Sequence, residues 1–135
     1  MPLLLDAGVL YAMVDRRDAW HAPVVEYLKA FGGTLLAPMT VLPEAAHLVR
    51  TRLGESAERK LINGFVNGGV AIEPLKAADL TRSYELMAKY PQLGFADSSV
   101  VAMAERLGLD TIATTDRRHF TLVRPVHIKH FTLVP

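Results

Sequence analysis

Residues 1–10 read MPLLLDAGVL, and the three leucines at 3–5 followed at once by Asp6 decide how the fold is organised. A short apolar run of this kind is typical of a buried strand, which we place at Pro2–Leu5. Asp6 has an ordinary role available as the N-cap of a helix from Gly8, because aspartate is a favoured cap. A carboxylate at the C-terminal end of a central parallel strand also lies where open α/β sheets bind ligands. The sequence therefore gives Asp6 two candidate roles, as a helix cap and as part of a site.

The rest of the chain alternates between similar apolar runs and segments with helical spacing. Further strands are predicted at Thr34–Ala37, Val70–Ile72, Thr111–Thr114 and Val126–Val134. The predicted helices span residues 8–14, 19–31, 40–54, 56–66, 77–90 and 97–107. This alternation favours an α/β fold with a mostly parallel, roughly five-stranded sheet and right-handed crossovers. No internal boundary is visible, so we expect a single domain over residues 1–135.

The composition limits which metal sites and cross-links the chain can form. The chain has no cysteines, which excludes disulfides and thiolate metal sites, and its five histidines show no ligand spacing. His127 and His130 on the predicted last strand would point to opposite faces, which argues against a zinc site there. Fifteen basic and fourteen acidic residues give a formal net charge of +1, which neither requires nor excludes a nucleic-acid partner. With no basic leader and no apolar run of about 20 residues, we expect a cytoplasmic protein without a membrane partner.

Three further acids occupy places comparable to that of Asp6. Glu44 lies in the first turns of the helix after the second strand, in an apolar context that predicts partial burial. Asp97 opens a helix, and Asp116 follows the fourth strand. Each has an ordinary alternative, which is a favourable helix dipole for Glu44, N-capping for Asp97 and a turn role for Asp116.

The order of the strands decides whether these acids meet. In a doubly wound sheet the first strand is central, and the strand order reverses beside it. Asp6 and Asp116 would then end neighbouring strands, while Glu44 and Asp97 would reach the same crevice from adjoining helices. Carboxylates gathered in this way repel one another, and a hard divalent cation relieves the repulsion. The pattern predicts metal-dependent chemistry, with oxygen ligands that suit Mg²⁺ or Mn²⁺ better than zinc.

The stretches LLLDAGVLYAMVDRRDAWH, APMTVLPEAAHLV, LGFADSSVVAMAERLG and TIATTDRRHF carry a resemblance to a known family. In this order and spacing the chain resembles the PIN-domain ribonucleases, and among them the VapC-type toxins of bacterial toxin–antitoxin pairs. The resemblance covers essentially the whole chain and implies a three-layer α/β/α sandwich. It also implies a Mg²⁺- or Mn²⁺-dependent endoribonuclease whose catalytic and metal-binding residues match Asp6, Glu44, Asp97 and Asp116.

The resemblance further implies partners. The expected substrate is RNA, with tRNA among the candidates, and Arg117 and Arg118 beside Asp116 are the candidates for phosphate contacts. A VapB-type antitoxin is expected in a groove formed by the first helices, and the toxin is expected to be a homodimer. Asp79 is a further acid in a region where relatives sometimes carry one, although its sequence context is typical of an ordinary helix start.

One position departs from the family pattern. The family commonly has Thr or Ser directly after the first aspartate, and this chain has Ala7. The change removes a hydroxyl that would hydrogen-bond beside the site. Thr114, Thr115 and Ser98 are alternative sources of such a hydroxyl.

Two other interpretations stay open. Receiver-like and phosphatase-like domains also place an aspartate after their first strand, but a phosphatase of the haloacid dehalogenase type requires Asp-x-Asp where this chain has Asp6-Ala7-Gly8. The second alternative is a PIN-like module that binds RNA or a protein without catalysis. The presence of all four acids speaks against it, and Ala7 speaks mildly for it.

Overall fold

The computed structural model describes residues 1–135, which form five strands and seven helices. The strands are β1 (Leu3–Leu5), β2 (Leu35–Pro38), β3 (Ala71–Glu73), β4 (Thr111–Ala113) and β5 (Thr132–Val134). The helices are α1 (Ala7–Val14), α2 (His21–Ala30), α3 (Leu42–Leu53), α4 (Glu55–Val66), α5 (Ala77–Lys89), α6 (Phe95–Leu107) and α7 (Arg117–Leu122).

All five strands are parallel, and their order is β3-β2-β1-β4-β5. The central position of β1 is confirmed, because Leu4 pairs with Leu36 of β2 on one side and Ile112 of β4 on the other. The leucines of β1 are buried throughout, as a strand covered by helices on both faces requires. The strand order therefore reverses between β1 and β4, directly beside Asp6.

Helices cover the sheet in two groups. The first four helices pack against one another as one layer, and α5 packs on α6, which also contacts α7. Val9 and Leu10 of α1 and Val100 and Met103 of α6 belong to the same buried apolar cluster as the β1 leucines. The three-layer α/β/α arrangement is thereby confirmed. None of the helices combines the length and apolar character needed to span a bilayer.

The C-terminal region differs most from the prediction. The predicted strand Val126–Val134 is wrong in its first half, because residues 126–130 form bends and β5 covers only Thr132–Val134. The ring of His127 contacts the Leu109 carbonyl oxygen at 2.7 Å and holds this segment at the start of β4. Neither His127 nor His130 lies on a strand. The six-residue helix α7 was not predicted, because it is too short to show a helical period and is fixed instead by burial of Phe120.

Candidate active site

Asp6 directly follows β1 and is the N-cap of α1, so its predicted capping role is confirmed. Its Oδ1 accepts a hydrogen bond from the Ala7 N–H at 2.7 Å, and its Oδ2 accepts one from Thr114 Oγ1 at 2.9 Å. The residue is only 5% exposed. Burial, which is the largest cause, and the charges of Asp97 and Glu44 together raise the pKa of this carboxyl group to about 6, against the two hydrogen bonds, which lower it.

Asp97 lies in the first turn of α6 and is half-buried. The helix begins at Phe95 with Gly94 as its N-cap, so the capping role considered for Asp97 is wrong. Burial raises the pKa of Asp97 and the charge of Asp116 adds to the increase, whereas the contact with His119 lowers it. A first-turn position also places the carboxylate near the positive end of the helix dipole, which favours its charged form but does not cancel its charge. The helix α6 therefore presents a charged Asp97 at the sheet edge.

The strand β4 ends at Ala113 rather than at Thr114, so Thr114 and Thr115 separate it from Asp116. It is the N-cap of α7, and its side chain accepts a hydrogen bond from the His119 N–H at 3.4 Å. Its own N–H donates to Thr114 Oγ1 at 2.9 Å. Thr114 therefore joins Asp6 and Asp116, because its hydroxyl donates to the first and accepts from the second.

Glu44 lies in the first turn of α3, as predicted, but the expected partial burial is wrong for the residue as a whole, which is exposed. Loss of solvent around its carboxyl group still raises its pKa, and the charge of Asp97 adds to this effect. Asp97 is thus the common neighbour that raises the pKa of both Asp6 and Glu44. The four acids lie together at the C-terminal ends of β1 and β4, and we call this group the acidic edge.

His119 is the residue that sequence reasoning missed. Its Nδ1 lies 3.0 Å from Asp97 Oδ2 and 3.0 Å from Asp116 Oδ2. The potential ligand atoms of these three residues all lie within 4.8 Å of one another, and this group includes neither Asp6 nor Glu44. The sequence signal was the spacing of Asp116 and His119, which is ligand spacing only if residues 117–122 are recognised as a helix.

The missing hydroxyl at Ala7 is replaced by Thr114, one of the alternatives that the sequence offered. Ser98 is buried and its hydroxyl has no hydrogen-bond partner, so it does not take this role. Thr115 has a different function, because a Cβ atom at Gly8 would overlap its Oγ1. The loop after β4 therefore packs directly against the start of α1, which a side chain at position 8 would prevent.

Of the three remaining candidates, Asp79 and Arg117 have partners of their own. Asp79 is buried in the first turn of α5 and binds Arg106 through two hydrogen bonds of 2.9 Å, so it belongs to an ion pair outside the acidic edge. Arg117 and Arg118 are exposed beside Asp116, as their sequence positions require. The Arg117 guanidinium lies 5.8 Å from the centre of the Trp20 ring and donates to the Pro135 carbonyl oxygen.

The chain matches the family model described as "PIN domain" over residues 3–124. It belongs to the PIN-domain family. It is 31% identical to the ribonuclease VapC26 of Mycobacterium tuberculosis, with 98% of this chain and 100% of the relative covered. Its fold is similar to the crystal structure of the M. tuberculosis toxin VapC20, with a TM-score of 0.83, 17% identity, and coverage of 94% of this chain and 98% of that one. It is also similar to DNA-bound VapBC from Salmonella typhimurium, with a TM-score of 0.73, 15% identity and 98% of each chain covered.

The donor set of this PIN domain fits a divalent cation. Burial raises the pKa values of Asp6, Asp97 and Glu44, and the charges of neighbouring acids raise them further, so a bound cation would remove this mutual repulsion. Carboxylate oxygens are the ligands that Mg²⁺ and Mn²⁺ take in proteins. The imidazole of His119 is the one nitrogen donor in the group. The arrangement is therefore suited to holding a cation at the sheet edge.

Proposed function

We propose that this chain is a Mg²⁺- or Mn²⁺-dependent endoribonuclease and the toxin of a toxin–antitoxin pair. The observation that carries the proposal is the acidic edge, where Asp6 is buried with a pKa of about 6 and has no cationic partner. The full-length similarity to a ribonuclease, at 31% identity, supports RNA as the substrate. Hydrolysis of a phosphodiester needs positive charge at the reacting phosphate, which the carboxylates of this edge do not supply.

We assign Asp6, Asp97 and Asp116 to binding the cation, with Glu44 beside them. A bound divalent cation supplies Lewis-acid chemistry to the scissile phosphodiester. Thr114 holds the carboxylate of Asp6 in place through its hydroxyl. Glu44 is open to solvent and has a raised pKa, which suits it to orient the attacking water and accept its proton.

Arginines beside the acids provide the contact with RNA in this proposal. A cleft of 430 Å³ is lined by Thr115, Asp116, Arg117, Arg118 and His119. A phosphate entering this cleft would meet a guanidinium group next to the acidic edge, and such contacts fix the register of a nucleic acid without reading its sequence. Arg118 has no intramolecular salt bridge, whereas Arg117 is held by Trp20, so Arg118 is the better candidate.

The direct test is cleavage of tRNA and other structured RNAs by the purified protein, with Mg²⁺ or Mn²⁺ and with EDTA. We expect cleavage with either cation and none with EDTA. Cleavage that EDTA leaves unchanged would contradict the metal mechanism. RNA binding without cleavage under every metal condition would favour the alternative of a non-catalytic PIN-like module.

The antitoxin partner has a candidate groove between α1 and α4. The groove has a volume of 390 Å³, and its apolar lining includes Leu10 and Met13 of α1 and Leu61 and Phe65 of α4. Similar folds include the toxin–antitoxin complex from Klebsiella pneumoniae, with a TM-score of 0.69 and 17% identity. An amphipathic segment of a VapB-type antitoxin would bury its apolar side here. Met13→Glu is expected to abolish co-purification with the antitoxin and leave RNA cleavage intact, whereas retained co-purification would exclude this groove.

An exposed apolar stripe on α5 supports the predicted homodimer. Leu80, Tyr84 and Met87 follow one another at helical spacing and are 50%, 77% and 39% exposed, while Leu86 of the same helix is buried. A contiguous stripe of this kind marks an interaction surface. Light scattering is expected to give a dimer for the native chain and a monomer for Tyr84→Glu. A native monomer at micromolar concentration would remove the dimer from the proposal.

A further inference from the structure

His119 lies between two carboxylates of the acidic edge. It projects from α7 towards α6, and its Nδ1 lies between two carboxylate oxygens, one from Asp97 and one from Asp116, each 3.0 Å away. Its backbone N–H already donates to Asp116, so the turn is capped without the ring. The ring is therefore available for a ligand at the acidic edge.

The two distances of 3.0 Å match the spacing of neighbouring ligand atoms around a small divalent cation. Mg²⁺-like octahedral coordination at about 2.1 Å places neighbouring ligand atoms about 3.0 Å apart, because they subtend a right angle at the ion. A single N–H on Nδ1 cannot point straight at two acceptors at once. If the Nδ1 lone pair and the two carboxylate oxygens all face one cation instead, each of the three atoms has a partner. The three potential ligand atoms also lie within 4.8 Å of one another, as one coordination sphere requires.

The other histidines do not share this arrangement. The ring of His21 contacts the Ala12 carbonyl oxygen at 2.6 Å, and the ring of His127 contacts the Leu109 carbonyl oxygen at 2.7 Å. His47 and His130 are exposed, and neither belongs to a group of potential metal ligands. His119 is the one histidine grouped with carboxylates.

We propose that His119 is a nitrogen ligand of the divalent cation, so that Asp97, Asp116 and His119 form an Asp₂His site that prefers Mn²⁺ to Mg²⁺. This inference rests on the proposed function, because it concerns the cation that the nuclease would use. Mg²⁺ is a hard ion that takes oxygen ligands, whereas imidazole nitrogen suits transition metals. The oxygen-only ligand set predicted from the sequence is thereby replaced by a mixed set, to which Asp6 still contributes its carboxylate, with Glu44 beside it.

Manganese provides a readout that does not depend on RNA cleavage. Mn²⁺ bound to imidazole gives nitrogen modulation in the electron spin echo of the metal, and ring-¹⁵N histidine changes the frequency of that modulation without any mutation. We expect the native protein to bind Mn²⁺ and to show this nitrogen signal. His119→Ala and His119→Asp are expected to lose it, whereas the matched exposed variant His130→Gln is expected to keep it.

The same samples give the metal preference. Competition between Mn²⁺ and Mg²⁺ is expected to favour Mn²⁺ in the native protein, and His119→Asp is expected to reduce that preference at least about tenfold, the scale on which changed ligation alters metal affinity. Mn²⁺ binding without nitrogen modulation in the ¹⁴N and ¹⁵N native samples would overturn the role of His119 and leave the proposed nuclease untouched. Folded native protein that binds no Mn²⁺ at all would overturn both.

Discussion

Two buried aspartates of this molecule have opposite environments. Asp6 is 5% exposed at the end of β1, and Asp79 is 2% exposed in the first turn of α5. Burial acts on both carboxyl groups to raise their pKa values. At Asp79 two hydrogen bonds from Arg106 and one from the Lys76 N–H reverse that effect and lower the pKa. At Asp6 the only compensation comes from one hydroxyl and one amide, and the pKa rises to about 6.

Asp79 is thus an acid that stabilises the fold through an ion pair, whereas Asp6 has no positively charged partner within the chain. Arg106 also lies 3.5 Å from Glu73, so the pair around Asp79 ties the helix layer to the end of β3. A buried charge needs compensation, and at the acidic edge the neighbours of Asp6 are two more acids. The missing positive charge is what we assign to a divalent cation.

The largest expected effect follows from removing the uncompensated charge. Asp6→Asn is expected to lower RNA cleavage about 1000-fold, because loss of a cation ligand forfeits several kcal/mol of transition-state stabilisation. The initial rate of cleavage with saturating Mn²⁺ measures the effect. Asp110→Asn is the matched control, since Asp110 is exposed at the opposite end of β4 and its side chain accepts only from Thr111. Mg²⁺- or Mn²⁺-dependent activity that survives in Asp6→Asn would remove Asp6 from the site.

The second prediction concerns Asp79, the buried aspartate that has a positively charged partner. Arg106→Met leaves the Asp79 carboxylate buried without its partner, and we expect the free energy of unfolding to fall by about 3 kcal/mol. RNA cleavage by the folded fraction is expected to be unchanged. Urea denaturation measures the loss, and Arg59→Met is the control, because the exposed pair of Arg59 and Glu55 contributes at most about 0.5 kcal/mol. A loss of specific activity in Arg106→Met would bring Asp79 back as a site residue.

Sequence reasoning succeeded where a pattern was local and repeated. The apolar strands and the helical periods fixed the parallel sheet, and the position of Asp6 and Asp116 beside the strand-order reversal followed from it. It failed where a single contact decides the conformation. Burial of Phe120 stabilises α7, and the helix in turn brings His119 to Asp97, 22 residues earlier in the chain. Asp79 was likewise ambiguous, because its partner Arg106 is 27 residues away.

The third prediction concerns the support of Asp6 rather than its charge. Thr114→Val keeps the shape of the side chain but removes the hydroxyl that joins Asp6 to the Asp116 N–H. Loss of such a supporting hydrogen bond is expected to weaken metal affinity and activity about 10- to 100-fold. Thr114→Ser restores the hydroxyl and is expected to recover most of the activity. Thr111→Val at the start of β4 is the matched control, and equal losses in the two valine variants would refute a specific role for Thr114.

The smallest expected effect is a pH dependence of stability in the metal-free protein. The pKa of Asp6 is 3.8 when unperturbed and about 6 in the fold, so between these values the folded state holds more protons than the unfolded state. The free energy of unfolding of the metal-free protein is therefore expected to rise, by about 1–2 kcal/mol, as the pH falls from 7 to 4.5. Asp79 acts in the opposite direction, because its lowered pKa gives stability that is lost only below about pH 4. Urea denaturation in EDTA at several pH values measures the slope, which Asp6→Asn is expected to reduce and saturating Mn²⁺ to abolish or reverse. Stability in EDTA that increases steadily from pH 4.5 to 7 would show that Asp6 is compensated within the protein, as Asp79 is.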